Sequence, residues 1–183
     1  MPMPLGHTAI GLVAFETART PQRSGNRLAL CAYITVLANL PDLDILFGLL
    51  VTGNGSAFHR GPTHSLLFAL GAGYLASRLM RRWPNGPQLG FATSALLIFS
   101  HVAADMLLTS SPVSLFWPLE LNWSMGYSDW GNVIRLALFQ SLQDFVIACL
   151  AGIYLFIVRK VRGTTVVHEA LLALFGDRAK SAR

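Results

Sequence analysis

Apolar runs divided by short basic or polar stretches set the rhythm of this chain. Four are long enough for a bilayer core, which takes about 20 apolar helical residues within a range of roughly 17–25: 28–51, 64–80, 88–108 and 136–158. A fifth, 5–18, is too short for an independent span and reads as a re-entrant or tilted helix packed against the others. The segment 165–175 reads as a short amphipathic helix on the inner membrane surface, with His168 and Glu169 as solvated polar-face residues. Together these runs predict an all-α fold. It is a polytopic integral membrane bundle of four to five membrane helices plus a short C-terminal amphipathic helix, forming a single domain over 1–183.

Charge supports this pattern. The chain is 53% hydrophobic and 13% charged, against about 25% charged in an ordinary soluble domain. The net charge of +5 does not describe a nucleic-acid binder, whose basic residues line one polar face. Here they fall in short runs: Arg19, Arg23 and Arg27; Arg78, Arg81 and Arg82; Arg159, Lys160 and Arg162. Loop 109–132 has no Lys or Arg and loop 52–63 has Arg60 alone, so basic and non-basic loops alternate as positive-inside topology requires. Loops 52–63 and 109–132 are therefore expected outside the cytoplasm. Trp117, Trp123 and Trp130 in the latter suit an interfacial aromatic belt. Cys31 and Cys149 read as small buried hydrophobes. The N-terminus lacks the basic region of a signal peptide and carries His7 where the apolar stretch begins.

Ionisable residues inside spans cost about 2.5–3.5 kcal/mol on insertion scales and mark functional sites. In "NLPDLD", Asp42 and Asp44 would point about 160° apart on a continuous helix. Pro41 breaks the helix there, letting both carboxylates converge, unless the span ends at Leu40 and Asp42 merely caps it. In "HVAAD", His101 and Asp105 stand four residues apart on one helix face, the spacing by which a helix presents two ligands to one metal. A buried His–Asp hydrogen bond is the plainer reading. In "HRGPTHS", Gly61 and Pro62 force a turn, Thr63 is placed to N-cap a helix beginning at His64, and His59 and His64 flank Arg60 at the outer mouth. Asp144 lies inside the last span, where it could join the polar layer or pair with Arg135.

Asp42, Asp44, His59, His64, His101 and Asp105 then gather in one layer, which His7 joins if 5–18 crosses. Imidazole with carboxylate suits zinc first, with manganese or iron as alternatives. Seven ligands exceed one tetrahedral ion, so two or three ions are expected.

With these landmarks the chain resembles the YdjM-like family, LexA-regulated bacterial inner-membrane proteins described as membrane-bound metal-dependent hydrolases. The likeness rests on "HTAIG", "PDLD", "HRGPTHS" and "HVAAD", in that order, over about residues 5–158. A looser likeness is to zinc-dependent phospholipases C and P1-type nucleases, although their N-terminal tryptophan ligand and HxxxE partner are missing here. The resemblance implies a metal-dependent hydrolase in the inner membrane, and the spans and loop charges make it multi-pass with its site near the extracytoplasmic face. The metal would activate a water nucleophile, Asp42 or Asp44 would bridge metals or take the proton, and Arg60 would stabilise charge on a phosphoryl or acyl oxygen. The expected substrate is an amphiphilic or lipid-linked ester, above all a phosphoester. A membrane metal-ion or proton-coupled transporter is the rival reading, since intramembrane His and Asp also build ion pathways.

Overall fold

The structure, a computed structural model, describes residues 4–18, 26–109, 112–119 and 140–180, with side chains over 142–174 in the last segment. Among the described residues it is helical, without strands. The helices are α1 (Pro4–Thr17), α2 (Arg27–Ala38), α3 (Leu43–Thr52), α4 (Leu66–Met80), α5 (Phe91–Leu108), α6 (Gln140–Arg162) and α7 (Val166–Lys180). Tight 3-10 turns at Leu40–Asp42 and Pro62–His64 precede α3 and α4.

The central helix is α5. Leu97, Ile98, His101, Val102 and Asp105 on it are fully buried, and α1, α2 and α4 pack around it. Leu30, Ile34 and Leu37 of α2, Phe15 of α1 and Ala69 of α4 complete the core. Small residues set the closest approaches. A Cβ on Gly73 would lie 2.7 Å from the backbone of Ala95, and one on Gly11 would lie 2.6 Å from Ala38 Cβ, so α4 meets α5 and α1 meets α2 almost backbone to backbone. By contrast α6 packs chiefly on α1 and turns Phe145, Leu150, Ile153, Phe156 and Ile157 outward.

Among the described residues fewer spans form than the four to five expected: two helices, α5 and α6, are long and apolar enough to cross a membrane, and α2 with α3 makes a third only if the pair counts as one span bent by 55°. The bend falls at Pro41, where a missing N–H and a ring clash end α2. At 15 residues α4 spans about 22 Å, and α1, at 14, about 21 Å, both short of a hydrocarbon core of about 30 Å. The run 64–80 also begins later than expected. Ser65, not Thr63, caps α4, accepting from Phe68 N at 3.0 Å, and His64 stays in the 3-10 turn.

The helices alternate in direction, giving the bundle two chemically distinct ends. At one end lie His7, the α2–α3 break, the 59–64 turn and the last turns of α5. At the other lie Arg27, Arg78, Arg81, Arg82, Arg159, Lys160 and Arg162. A polar latch closes this second end. Buried Glu16 accepts from Val166 N, Arg162 Nη1 donates to the Glu16 carbonyl at 2.7 Å, and Arg27 pairs with Glu169 at 2.8 Å. Glu169 is therefore not the solvated residue expected: α7 docks on α2 through buried Val166 and Ala170, which brings Glu169 within reach of Arg27. The expectation for cysteine also fails for Cys149, which is exposed on the outward face of α6; Cys31 is half-buried. Trp117 is exposed at the first end, while Trp123, Trp130 and Arg135 lie outside the described residues.

Candidate metal centre

Four separate chain segments converge at the first end. From α1 comes His7, fully buried and stacked on His101 with ring centroids 3.6 Å apart. The break after α2 supplies Asp42 and Asp44. Its bend does what a straight helix could not, turning both carboxylates towards the same imidazoles. The 59–64 turn supplies His59, Arg60, Thr63 and His64, and α5 supplies His101 and Asp105 one turn apart.

Distances within the cluster are short and repetitive. His101 Nε2 stands 3.3 Å from Asp42 Oδ1, and His64 Nε2 stands 3.7 Å from that oxygen and 3.6 Å from Asp105 Oδ2. His64 Nδ1 lies 3.3 Å from Asp44 Oδ2, while His59 Nδ1 lies 3.1 Å from Asp44 Oδ1 and 3.9 Å from Asp42 Oδ1. His7 Nε2 is 3.5 Å from Asp105 Oδ1. Around a tetrahedral zinc with bonds of about 2.0–2.1 Å, neighbouring donors stand about 3.3 Å apart. The cluster thus has the edge lengths of a coordination shell.

Proton bookkeeping points the same way. His101 Nδ1 lies 2.8 Å from the carbonyl of Ala38, one of the last carbonyls of α2 and an acceptor only. That nitrogen must therefore carry the hydrogen, and the lone pair of Nε2 faces Asp42 Oδ1. Two acceptors at 3.3 Å repel unless a cation or a second proton lies between them. The buried atoms Asp42 Oδ1, His59 Nε2, His64 Nε2, His101 Nε2 and both oxygens of Asp105 have no hydrogen-bond partner among the described residues. Among the described residues three carboxylates face one guanidinium, so with neutral imidazoles they leave a net charge of −2 in the cluster, which a buried site does not tolerate alone.

Three trios could each hold an ion: His7, His101 and Asp105; Asp42, His64 and His101; Asp44, His59 and His64. They need nine ligand positions and seven residues supply them, because His64 and His101 are each counted twice. The first and third share no residue and leave Asp42 between them. The donor set thus fits metal, and two ions better than three.

Residues behind the ligands fix their aim. The Thr63 hydroxyl donates to Asp44 Oδ2 at 2.6 Å, and Arg60 N donates to the same oxygen at 3.3 Å. Arg60 adopts φ 67, an uncommon left-handed conformation for a side chain of its size. Its carbonyl accepts from Ser114 N at 3.2 Å, and Leu66 N donates to the Leu115 carbonyl at 2.9 Å, so the strand-like stretch at 113–115 pins the turn over the site. Val113 beside it is buried on Val102. The Arg60 side chain reaches Asp105, Nε to Oδ2 at 3.5 Å. Buried Asp144 accepts from Gly6 N at 3.1 Å, capping the start of α1 immediately before His7.

All seven expected ligands come together, and Arg60 with them. Sequence reading missed the Thr63–Asp44 bond, the 113–115 clasp and the cap from Asp144. Only Asp144 carried a signal, as a charge inside an apolar run; the others are tertiary contacts of ordinary loop residues.

A helical membrane protein with a one-ended cluster of histidine and aspartate donors is what fold and site define. The chain belongs to the YdjM inner membrane protein family, whose model matches residues 1–175. No curated protein and no solved structure matches it.

Proposed function

We propose that this protein is a multi-pass, metal-dependent hydrolase of the bacterial inner membrane. Its site lies near the extracytoplasmic face, and its substrate is an amphiphilic phosphoester. The observation that carries the reading is the convergence of seven imidazole and carboxylate donors at 3.1–3.9 Å, with buried lone pairs facing one another. His7, His101 and Asp105 would hold one divalent ion and His59, His64 and Asp44 a second, with Asp42 shared; zinc suits the donors best, manganese and iron less well. When bound, the metal supplies Lewis acidity and a water activated near neutral pH.

The remaining chemistry belongs to the chain. Asp42 is 14% exposed against 3% for Asp44 and 0% for Asp105, so it is the carboxylate an incoming substrate meets first. With Oδ1 among the imidazoles, its other oxygen takes the proton of the attacking water. Arg60, steadied by Asp105, offers its guanidinium fork to the phosphoryl oxygens as charge builds there. Orientation follows from charge. Among the described residues Arg60 is the sole Lys or Arg at the site end, and positive-inside topology keeps the opposite, basic end in the cytoplasm.

Elemental analysis of the purified protein beside His64→Ala and Asp105→Ala tests the reading. Stoichiometric transition metal in wild type, lost in both variants, is the expected result. Wild type free of metal would remove its basis. Metal carried across vesicles without ester turnover would install transport in its place.

A further inference from the structure

Beside the cluster, and sharing Asp44 with it, is a cavity of about 380 Å³. Its walls are Leu43 and Phe47 on the first turns of α3, Phe58 in the following loop, and Phe68 on α4, and it borders the donor cluster at Asp44 and Thr63. We propose that this cavity binds the hydrocarbon tail of a single-chain amphiphilic phosphoester and delivers its head group to the metal-binding residues.

Three observations carry the proposal. The lining is almost wholly apolar, and it meets the donor cluster at Asp44 and Thr63, whose hydrogen-bonded pair, Thr63 Oγ1 to Asp44 Oδ2, borders His59 and His64. A ligand filling it must therefore be apolar along its length, and the end that leaves the cavity past Asp44 and Thr63 comes out against the donor cluster. At roughly 30 Å³ for each water-sized group, 380 Å³ holds about a dozen such groups, a segment of one chain rather than a paired diacyl body. Finally, α3 does not bury its apolar side chains: Leu46, Phe47, Leu49, Leu50 and Val51 are all at least half exposed, and Asp44 and Gly48 are its buried residues. Such a helix belongs in hydrocarbon rather than water. The cavity between it and α4 thus opens where tails already lie, with Phe47 and Phe58 meeting at 5.4 Å as its rim.

The identity of the head group rests on the hydrolase reading, but the tail site can be tested without it. Full-length protein in nanodiscs is cross-linked with dodecyl phosphate carrying a mid-chain diazirine, and adducts are mapped by mass spectrometry. Adducts are expected on Phe47, Phe58 and Phe68, displaced by excess dodecyl phosphate and not by ethyl phosphate. Phe68→Trp and Phe47→Trp, which fill the cavity from opposite walls, should each cut them at least five-fold without changing metal content. Adducts spread evenly over the outward faces of α4 and α6, or indifferent to both tryptophans, would overturn the proposal. Turnover of alkyl 4-nitrophenyl phosphates separates the two readings. Pocket adducts without turnover support the tail site and sink the hydrolase; turnover independent of chain length leaves the hydrolase standing and sinks the tail site.

Discussion

Thr63 shows how a side chain outside the ligand set can still govern the site. Its hydroxyl is one of two donors that hold Asp44 Oδ2, the other being Arg60 N. Partners of this kind typically change metal affinity by about 10–100-fold when removed. Thr63→Val, which keeps the shape and deletes the hydroxyl, is expected to weaken metal about ten-fold in a chelator competition, with Thr63→Ser close to wild type. Arg60 separates backbone from side chain. Its left-handed φ of 67 costs a non-glycine residue about 1–2 kcal/mol, while its guanidinium pairs with Asp105. Arg60→Gly and Arg60→Ala lose the same pair, yet the glycine variant regains the backbone term. Thermal unfolding in detergent should rank Gly above Ala by about 1 kcal/mol. Equal melting would show that the turn carries no strain.

Among the elements, the cluster was easier to read from sequence than the helices that carry it. Charged and imidazole side chains stand out in apolar runs because the bilayer makes them expensive, so all seven donors could be picked out one at a time. Span number could not. Hydropathy measures how apolar a stretch is, whereas the length of a helix depends on where its backbone finds caps. Ser65 claims the start of α4 and Pro41 ends α2, and both trim runs that composition alone extends. Nor does sequence spacing reveal which helix a lone acid will cap. Asp144 on α6 reaches across to Gly6 N, holding the first turn of α1 one residue before His7. Asp144→Leu removes the acceptor and should lower stability by about 0.5–2 kcal/mol, the range for a lost cap. It should also reduce bound metal by displacing His7, whereas Asp144→Asn retains an acceptor and most of both. Metal per protein, measured beside the melting curve, distinguishes a loosened α1 from general unfolding. A Leu variant that melts early but binds metal fully would separate the cap from the site.

At the scale of the whole molecule, alternating helix directions sort the chemistry to opposite ends. The donors occupy one end; among the described residues the other carries seven Lys and Arg and the latch of Glu16, Arg162, Arg27 and Glu169. The latch ties α7 to α1 and α2 with hydrogen bonds and an ion pair, and among the described residues it offers no second cluster of metal donors, unlike a pathway that must hand an ion from face to face. On the proposed hydrolase reading, a one-sided pocket would see substrate from a single compartment, and the basic end would set which. In a background with Cys31→Ser and Cys149→Ser, Ala57→Cys marks the exposed loop at the donor end and Asn85→Cys the exposed loop at the basic end. A membrane-impermeant maleimide added to intact spheroplasts should label Ala57→Cys and spare Asn85→Cys, and inverted vesicles should reverse the pattern. Labelling of Asn85→Cys alone in spheroplasts would place the donors on the cytoplasmic side, where the attracted substrate would have to be a cytoplasmic-leaflet phosphoester and the positive-inside argument would fail for this bundle. Labelling of both positions from one side would mean that α4 and α5, at about 22 and 27 Å by helix rise, form a hairpin dipping into the membrane instead of two crossings.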